Sequence, residues 1–194
     1  MSKTTWKGST LLAPVPVVAV TCGEGDEANI ITVAWTGIMC SSPAKTYVSI
    51  RPERHSHGII SKTKELCINL VPSTLIKKVD WCGVRSGRDI DKFEKTGLTK
   101  EPCTDIKCPQ IAESPLTLEC KVTDVLHLGS HDAFICDIVA VNADDNILDE
   151  KGKLHLEKAG LSAYCHGEYF ALGKRIGKFG FSHNKRNNKG KNIK

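Results

Sequence analysis

The sequence predicts a mainly β protein with flanking helices, arranged as a closed or partly open antiparallel barrel that helices cover on one side. Three observations carry this. Short apolar, β-branched runs bounded by turn residues recur at 14–22 (PVPVVAVTC), 28–36, 46–51 and 66–71. Two long alternating runs, 116–128 and 133–141, flank residues 129–132 and read as an antiparallel hairpin. The strands outnumber the helices and follow one another in hairpin order, without the regular βαβ alternation of a doubly wound sheet.

Taken in order, the valine-rich run 14–22 ends in the turn GEGDEAN, and 28–36 returns as the second strand. A Ser41-Ser42-Pro43 turn leads to the third strand, 46–51. Ser56 then reads as the N-cap of a two-turn helix, with Ile59 and Ile60 inward and Lys62 and Lys64 outward. After the fourth strand, 66–71 (LCINLV), Ser73 reads as the cap of a second helix. Leu75, Ile76, Val79 and Cys82 recur there at helical spacing, and Gly83 is placed to stop it. Ile90, Phe93 and Leu98 give one apolar side of a short helix, capped by Asp89 or Asp91 and ended by Gly97. Residues 99–113, with two prolines and no periodicity, read as a connecting loop. Ile147 and Leu148 suggest a short strand, and the segment 154–177 is Gly-rich and bears aromatics.

A chain of 194 residues has the size of one domain, set here at 1–177. It has no apolar run of about 20 residues, and MSKTTWKGS lacks the apolar core of a signal peptide, so a cytoplasmic protein is expected. The nine cysteines include no C-x-x-C pair and read as free thiols used as small apolar filler. The net charge of +5 is concentrated at one end, since residues 174–194 hold eight Lys and Arg and no acid. Removing those eight from 27 leaves 19 basic against 22 acidic residues, so the body is about −3. The basic tail, 178–194, offers no motif beyond charge and reads as a solvated, disordered terminus; neither nucleic acid nor a membrane is expected as a partner.

The chemistry points to residues 29–60. A strand end and a helix N-terminus leave backbone amides free, and Arg51 and Arg54 add positive charge beside them, an arrangement suited to a phosphate-bearing ligand. His55 and His57 would share a face on a strand and could then hold a metal. On a loop entering a helix that argument lapses, and they read as polar residues beside an anion. A second cluster, Arg85, Arg88 and Lys92 around Ser86-Gly87, can wrap a phosphate or a carboxylate, or can form surface ion pairs with Asp89, Asp91 and Glu94. The dinucleotide, triphosphate, zinc-protease, hydrolase and kinase signatures are all absent.

Several stretches together resemble the flavin reductase-like, FMN-binding split-barrel family, in particular its flavoredoxin-type branch. They are PVPVVAVTC, the N-x-x-T-V-A-W segment at 29–35, SSPAKTYVSIRPERHSHGII, LCINLVP, DWCGVRSGRDIDKFEKTGL, SPLTLECKV, HDAFICDIVAV and AYCHGEYFALGKRIG. They cover residues 14–177. The resemblance implies a Greek-key split β-barrel that binds FMN non-covalently, as a homodimer with the flavin near the subunit interface. It places the flavin ring against the backbone of Thr32, Val33, Ala34 and Trp35, with Asn29 also among the cofactor-binding residues. The phosphate falls to Ser49, Ile50, Arg51, Arg54, His55, Ser56 and His57, and Asn69 meets the ribityl chain or ring edge. Ser86, Gly87, Arg88, Asp89 and Lys92 complete the phosphate end. Hydride would come from NADH or NADPH, and the acceptor would be free flavin, an iron complex or a redox partner protein. The alternative is an FMN-containing electron carrier without efficient NAD(P)H oxidation. No catalytic side chain is required by hydride transfer, and His166 and Tyr169 are placed either near the nicotinamide or in packing.

Overall fold

A computed structural model describes residues 1–183. The first valine-rich run is split at Val17 into β1 (Val15–Pro16) and β2 (Val18–Cys22), which belong to different sheets. β3 (Asn29–Val33) returns beside β2, β4 (Thr36–Ser41) and β5 (Ala44–Ile50) form the next hairpin, and α1 (His55–Thr63) leads into β6 (Glu65–Leu70). Two helices follow, α2 (Ile76–Val84) and α3 (Lys92–Thr96), then the short strands β7 (Lys100–Glu101) and β8 (Gln110–Ile111). The long hairpin is β9 (Leu116–His127) with β10 (Asp132–Ala143), and β11 (Ser162–Cys165) with β12 (Glu168–Ala171) ends the strands.

The main sheet has seven antiparallel strands in the order β3-β2-β6-β9-β10-β5-β4, a β-rich architecture with flanking helices. It is an open sheet whose two ends approach each other. The chain passes from β3 at one end to β4 and β5 at the other through Ala34 and Trp35, and Ser49 N–H donates to the Trp35 carbonyl at 2.8 Å. Alternation explains the cores. Val18, Val20 and Cys22 of β2 and Ile31 and Val33 of β3 point to one side, where they meet Val48 and Ile50 of β5, Leu66 of β6, Phe134 and Cys136 of β10, and Ile60 of α1. Val17, Ala19 and Ile30 point to the other and meet Val79 and Cys82 of α2 with Phe93 of α3. Burial on both faces is why β2 reads as an unbroken apolar run instead of an alternating one.

Several local expectations are corrected. Ser56 lies inside α1, buried, and its Oγ accepts from Asn29 Nδ2 at 2.8 Å; the cap position belongs to Arg54. Ser73 turns away from α2, donating to the Gly160 carbonyl at 3.1 Å. Gly83 does not stop α2, which runs on to Val84, because glycine lets the helix sit against β3: a Cβ there would lie 3.1 Å from Thr32 Cβ. Asp91, not Asp89, caps α3 by accepting from Glu94 N–H at 3.1 Å, and Gly97 closes it at φ +61°. Residues 99–113 hold the β7-β8 pair. Ile147 ends a 3-10 turn, Asp145–Ile147, with only an isolated bridge between Leu148 and Leu154 beyond it. The basic tail lies outside the described residues from 184 onward, and within its described part Phe181–His183 form a 3-10 turn.

Candidate functional site

Three hollows meet along β3 and make one groove. The first, a cavity of about 270 Å³, is lined by Asn29 and Ile31 of β3, by Glu53, Arg54, His55 and Ser56 at the start of α1, by Cys82, Gly83, Arg85, Ser86, Gly87 and Arg88 at the end of α2 and its following turn, and by Lys92. Its character is cationic, with three arginines and a lysine against one glutamate. Among the described residues no ion pair uses Arg54, Arg85, Arg88 or Lys92, so their charges are directed at the cavity or solvent and not at the interleaved acids. The start of α1 has no side-chain cap, which leaves first-turn N–H groups as donors beside these cations. His55 is held below its ordinary pKa by burial first and then by Arg88 and Lys92.

Gly87 and Asn29 shape this cavity together. A Cβ on Gly87 would overlap the Asn29 carboxamide, so only glycine lets the Ser86–Arg88 turn approach β3 so closely. Lys92 does a second job. Its ammonium is buried and donates to the Ile30 carbonyl at 2.8 Å and the Cys82 carbonyl at 2.7 Å, tying α3 to β3 and α2 with one donor to spare. Burial, the largest influence, lowers its pKa.

The second hollow, about 130 Å³, continues along the strand edge, lined by Ile31, Thr32, Val33, Ala34, Trp35, Ser49, Ile50, Arg51, Arg54 and His131. The Ile30 carbonyl serves Lys92 on the side away from β2. By strand alternation Thr32 turns its N–H and carbonyl the same way, toward the groove, where among the described residues they meet no backbone partner. Arg51 lies at the rim, 3.7 Å from Glu53.

The third hollow, about 220 Å³, has the opposite character. Trp35, Tyr164 and Tyr169 line it with Val17, Thr32, Ala34, Gly83, Val84 and Asp80, its one charged group. Tyr164 stands edge-on to Trp35 at 6.3 Å and tilted against Tyr169 at 5.6 Å. Tyr169 Oη donates to Asp80 Oδ1 at 2.8 Å, and burial together with that carboxylate pushes the phenol up to about 12.

Most of the residues singled out in the sequence are brought together, but three are not. Asn69 is buried and saturated: Nδ2 donates to the Ala19 carbonyl at 3.0 Å and Oδ1 accepts from Ile111 N–H at 2.8 Å, so it joins β2, β6 and β8 and does not line the groove. His57 binds Asp132 through Nε2 at 2.8 Å and stands edge-on to Phe134, pinning α1 to β10. Asp89 is exposed beyond the cavity wall. Val33 and Ile50 contribute backbone, since their side chains fill the inner core. Reasoning from the sequence missed Cys82, His131, Asp80 and Tyr164. The last three reach the groove only through long-range packing that carries no local signal.

The flavin reductase like domain matches residues 11–173. The chain belongs to the flavin reductase-like family. A flavoredoxin of Desulfovibrio vulgaris (Miyazaki F) superposes with a TM-score of 0.87 at 28% identity, over 94% of this chain and 100% of that one. An FMN-binding protein of Thermus thermophilus superposes with a TM-score of 0.77 at 24% identity, over 92% and 97%. An NADPH-flavin oxidoreductase of Streptomyces viridifaciens is 24% identical over 153 residues, 77% of this chain and 78% of that one. The family membership expected from the ordered motifs therefore holds. It supports a flavin cofactor.

Proposed function

We propose that the groove binds FMN and that the protein is an NAD(P)H-dependent flavin oxidoreductase. The observation that carries this is the continuity of the cationic cavity with the free backbone edge at Thr32. From Asn29 to Thr32 the strand advances about 10 Å, a stretch that an extended ribityl phosphate can span. Arg54, Arg88 and the first-turn amides of α1 would hold the phosphate, with Arg85 and the spare Lys92 donor adding charge. Thr32 and its neighbours would orient the ring by backbone hydrogen bonds on one side, and Trp35 would cover it from water. When bound, FMN supplies two-electron chemistry, taking a hydride from NAD(P)H and passing electrons to a flavin, an iron complex or a protein. Backbone N–H groups facing the ring stabilise the negative charge of the reduced cofactor without titrating themselves.

The same reading includes a Greek-key completion of the sheet into a split barrel, supported by the Ser49–Trp35 contact between its ends. A homodimer is supported by apolar side chains left on the surface at Ile38 and Met39 of β4. Nine unpaired thiols favour a reducing, cytoplasmic setting. Similarity to a flavoredoxin along the full length of that chain favours one alternative, an FMN carrier fed by another protein. Anaerobic mixing of the FMN-loaded protein with NADH and with NADPH separates the two: bleaching within a turnover time is expected, and an unchanged flavin band would leave only the carrier.

A further inference from the structure

A second group of reactive side chains lies outside the groove, against β6. Cys67, Cys108 and Ile106 are buried together there, and half-buried Cys103 packs against them. Strand alternation explains the meeting. Glu65, Cys67 and Asn69 fall on one face of β6, and Glu119 of β9 stands directly opposite Cys67. The three polar neighbours of Cys67 grip the segment 102–111 by its backbone N–H groups. Glu119 accepts from Thr104 at 2.8 Å and from Asp105 at 2.7 Å, Glu65 accepts from Lys107 at 2.9 Å, and Asn69 accepts from Ile111 at 2.8 Å. Thr21 of β2, paired with Cys67 across the strands, donates to the Pro109 carbonyl. The same contacts fix Cys103, the residue before Thr104, within hydrogen-bonding reach of the Cys67 thiol.

We propose that Cys103 and Cys67 are a dithiol modification site, outside the flavin groove, that hydrogen peroxide converts to a reversible disulfide. Access sets the order of events. Cys67 and Cys108 are buried, so Cys103 is the member of the trio that solvent reaches. The Cys103 contact first and burial second push the Cys67 thiol up, and burial pushes Cys108 up, so neither of these starts the reaction. Cys103 gives its proton to water, and its sulfur attacks one oxygen of the peroxide. The O–O bond breaks, a sulfenic acid forms, and the departing hydroxide takes up the released proton as water. Cys67 Sγ then attacks the Cys103 sulfur, the S–O bond breaks, and hydroxide leaves with the Cys67 proton as a second water. Each thiol loses one electron and one proton, and the peroxide gains both electrons. The adjacent Cys67 captures the sulfenic acid before a second peroxide carries it to the irreversible sulfinic stage.

The test treats the fully reduced protein with a small excess of hydrogen peroxide, blocks the remaining thiols with iodoacetamide in denaturant, and maps the tryptic peptides by mass spectrometry. Trypsin keeps the candidates apart: Cys67 falls in 65–77, Cys103 in 101–107, and Cys108 with Cys120 in 108–121. About one bridge per chain is expected between 65–77 and 101–107, broken by dithiothreitol. Two of the nine thiols should be lost to it. In Cys103→Ser, Cys67 should oxidise about tenfold more slowly or less, because its exposed partner is gone. No bridge, a bridge from 101–107 to 108–121 in its place, or undiminished oxidation of Cys67 in Cys103→Ser would overturn the inference. Should that variant fail to fold, the wild type in guanidinium decides. Pairing there is set by chain statistics and scatters among the thiols, so a native sample that scatters equally overturns the proposal and a single native bridge supports it.

Discussion

The two ends of the groove are built on the same strand and differ in what they recognise. At the Asn29 end, Arg54, Arg85 and Arg88 crowd a turn that only Gly87 allows to approach β3, and the helix start adds amide donors. At the Trp35 end, rings and a single carboxylate take their place. Within one strand's length a cationic cavity gives way to an aromatic, acidic hollow. In the proposed binding mode the strand acts as a ruler, setting the separation between a phosphate in the cationic cavity and a ring on the Thr32 edge that Trp35 covers. Neither end alone would distinguish FMN from a simpler phosphate or a simpler ring.

Removing the cations should have the largest effect. In Arg54→Ala with Arg88→Ala, each lost charge-assisted contact costs about 1.5–3 kcal/mol, so FMN affinity should fall by about 100-fold or more while riboflavin affinity stays unchanged in a fluorescence titration. An equal loss for both ligands would place the phosphate elsewhere. Next is Gly87→Ala, whose new methyl group meets the Asn29 carboxamide. A stability loss of roughly 1–3 kcal/mol is expected in thermal melts, with FMN again weakened more than riboflavin. The aromatic end gives the converse. Trp35→Leu should weaken FMN and riboflavin by the same factor, about three- to tenfold, because the ring contact is common to both.

The smallest effect is a control outside both ends. Hydrogen bonds from His127 and then His57 hold the Asp132 carboxyl below its ordinary 3.8. A carboxylate with a lowered folded-state pKa adds stability above its unfolded value and loses it as pH falls through the folded one. Asp132→Asn should therefore flatten the drop in melting temperature below about pH 4, with FMN-to-riboflavin selectivity at neutral pH unchanged.

How far these two ends were legible in the sequence follows from how local their signals are. Strand alternation and turn residues marked the β9-β10 hairpin to within two residues at each end, because both faces and the turn are encoded in the run itself. The cationic end was visible for the same reason, as arginines beside glycine and serine on short turns. What pattern could not decide was whether Arg88 faces a ligand or pairs with Asp89; the fold separates them by turning Asp89 outward and giving Asp91 to the α3 cap. Ser56 and Ser73 looked like caps because serine before an apolar run usually is one, yet tertiary partners, Asn29 and Gly160, claimed their hydroxyls. The aromatic end was the least legible. Trp35, Asp80 and the Tyr164–Tyr169 pair come from three distant segments, and only the β11-β12 hairpin folding beside α2 assembles them. Asn69 shows the reverse error: the resemblance placed it at the ligand, and its partners, Ala19, Thr21, Cys67 and Ile111, are all internal.

The most direct measurement is a titration of flavin-free protein with FMN and, separately, with riboflavin, followed by absorbance and flavin fluorescence. The account predicts saturable FMN binding at one equivalent per chain, tighter than riboflavin. No saturable FMN binding, or equal affinity for the two flavins, would contradict it.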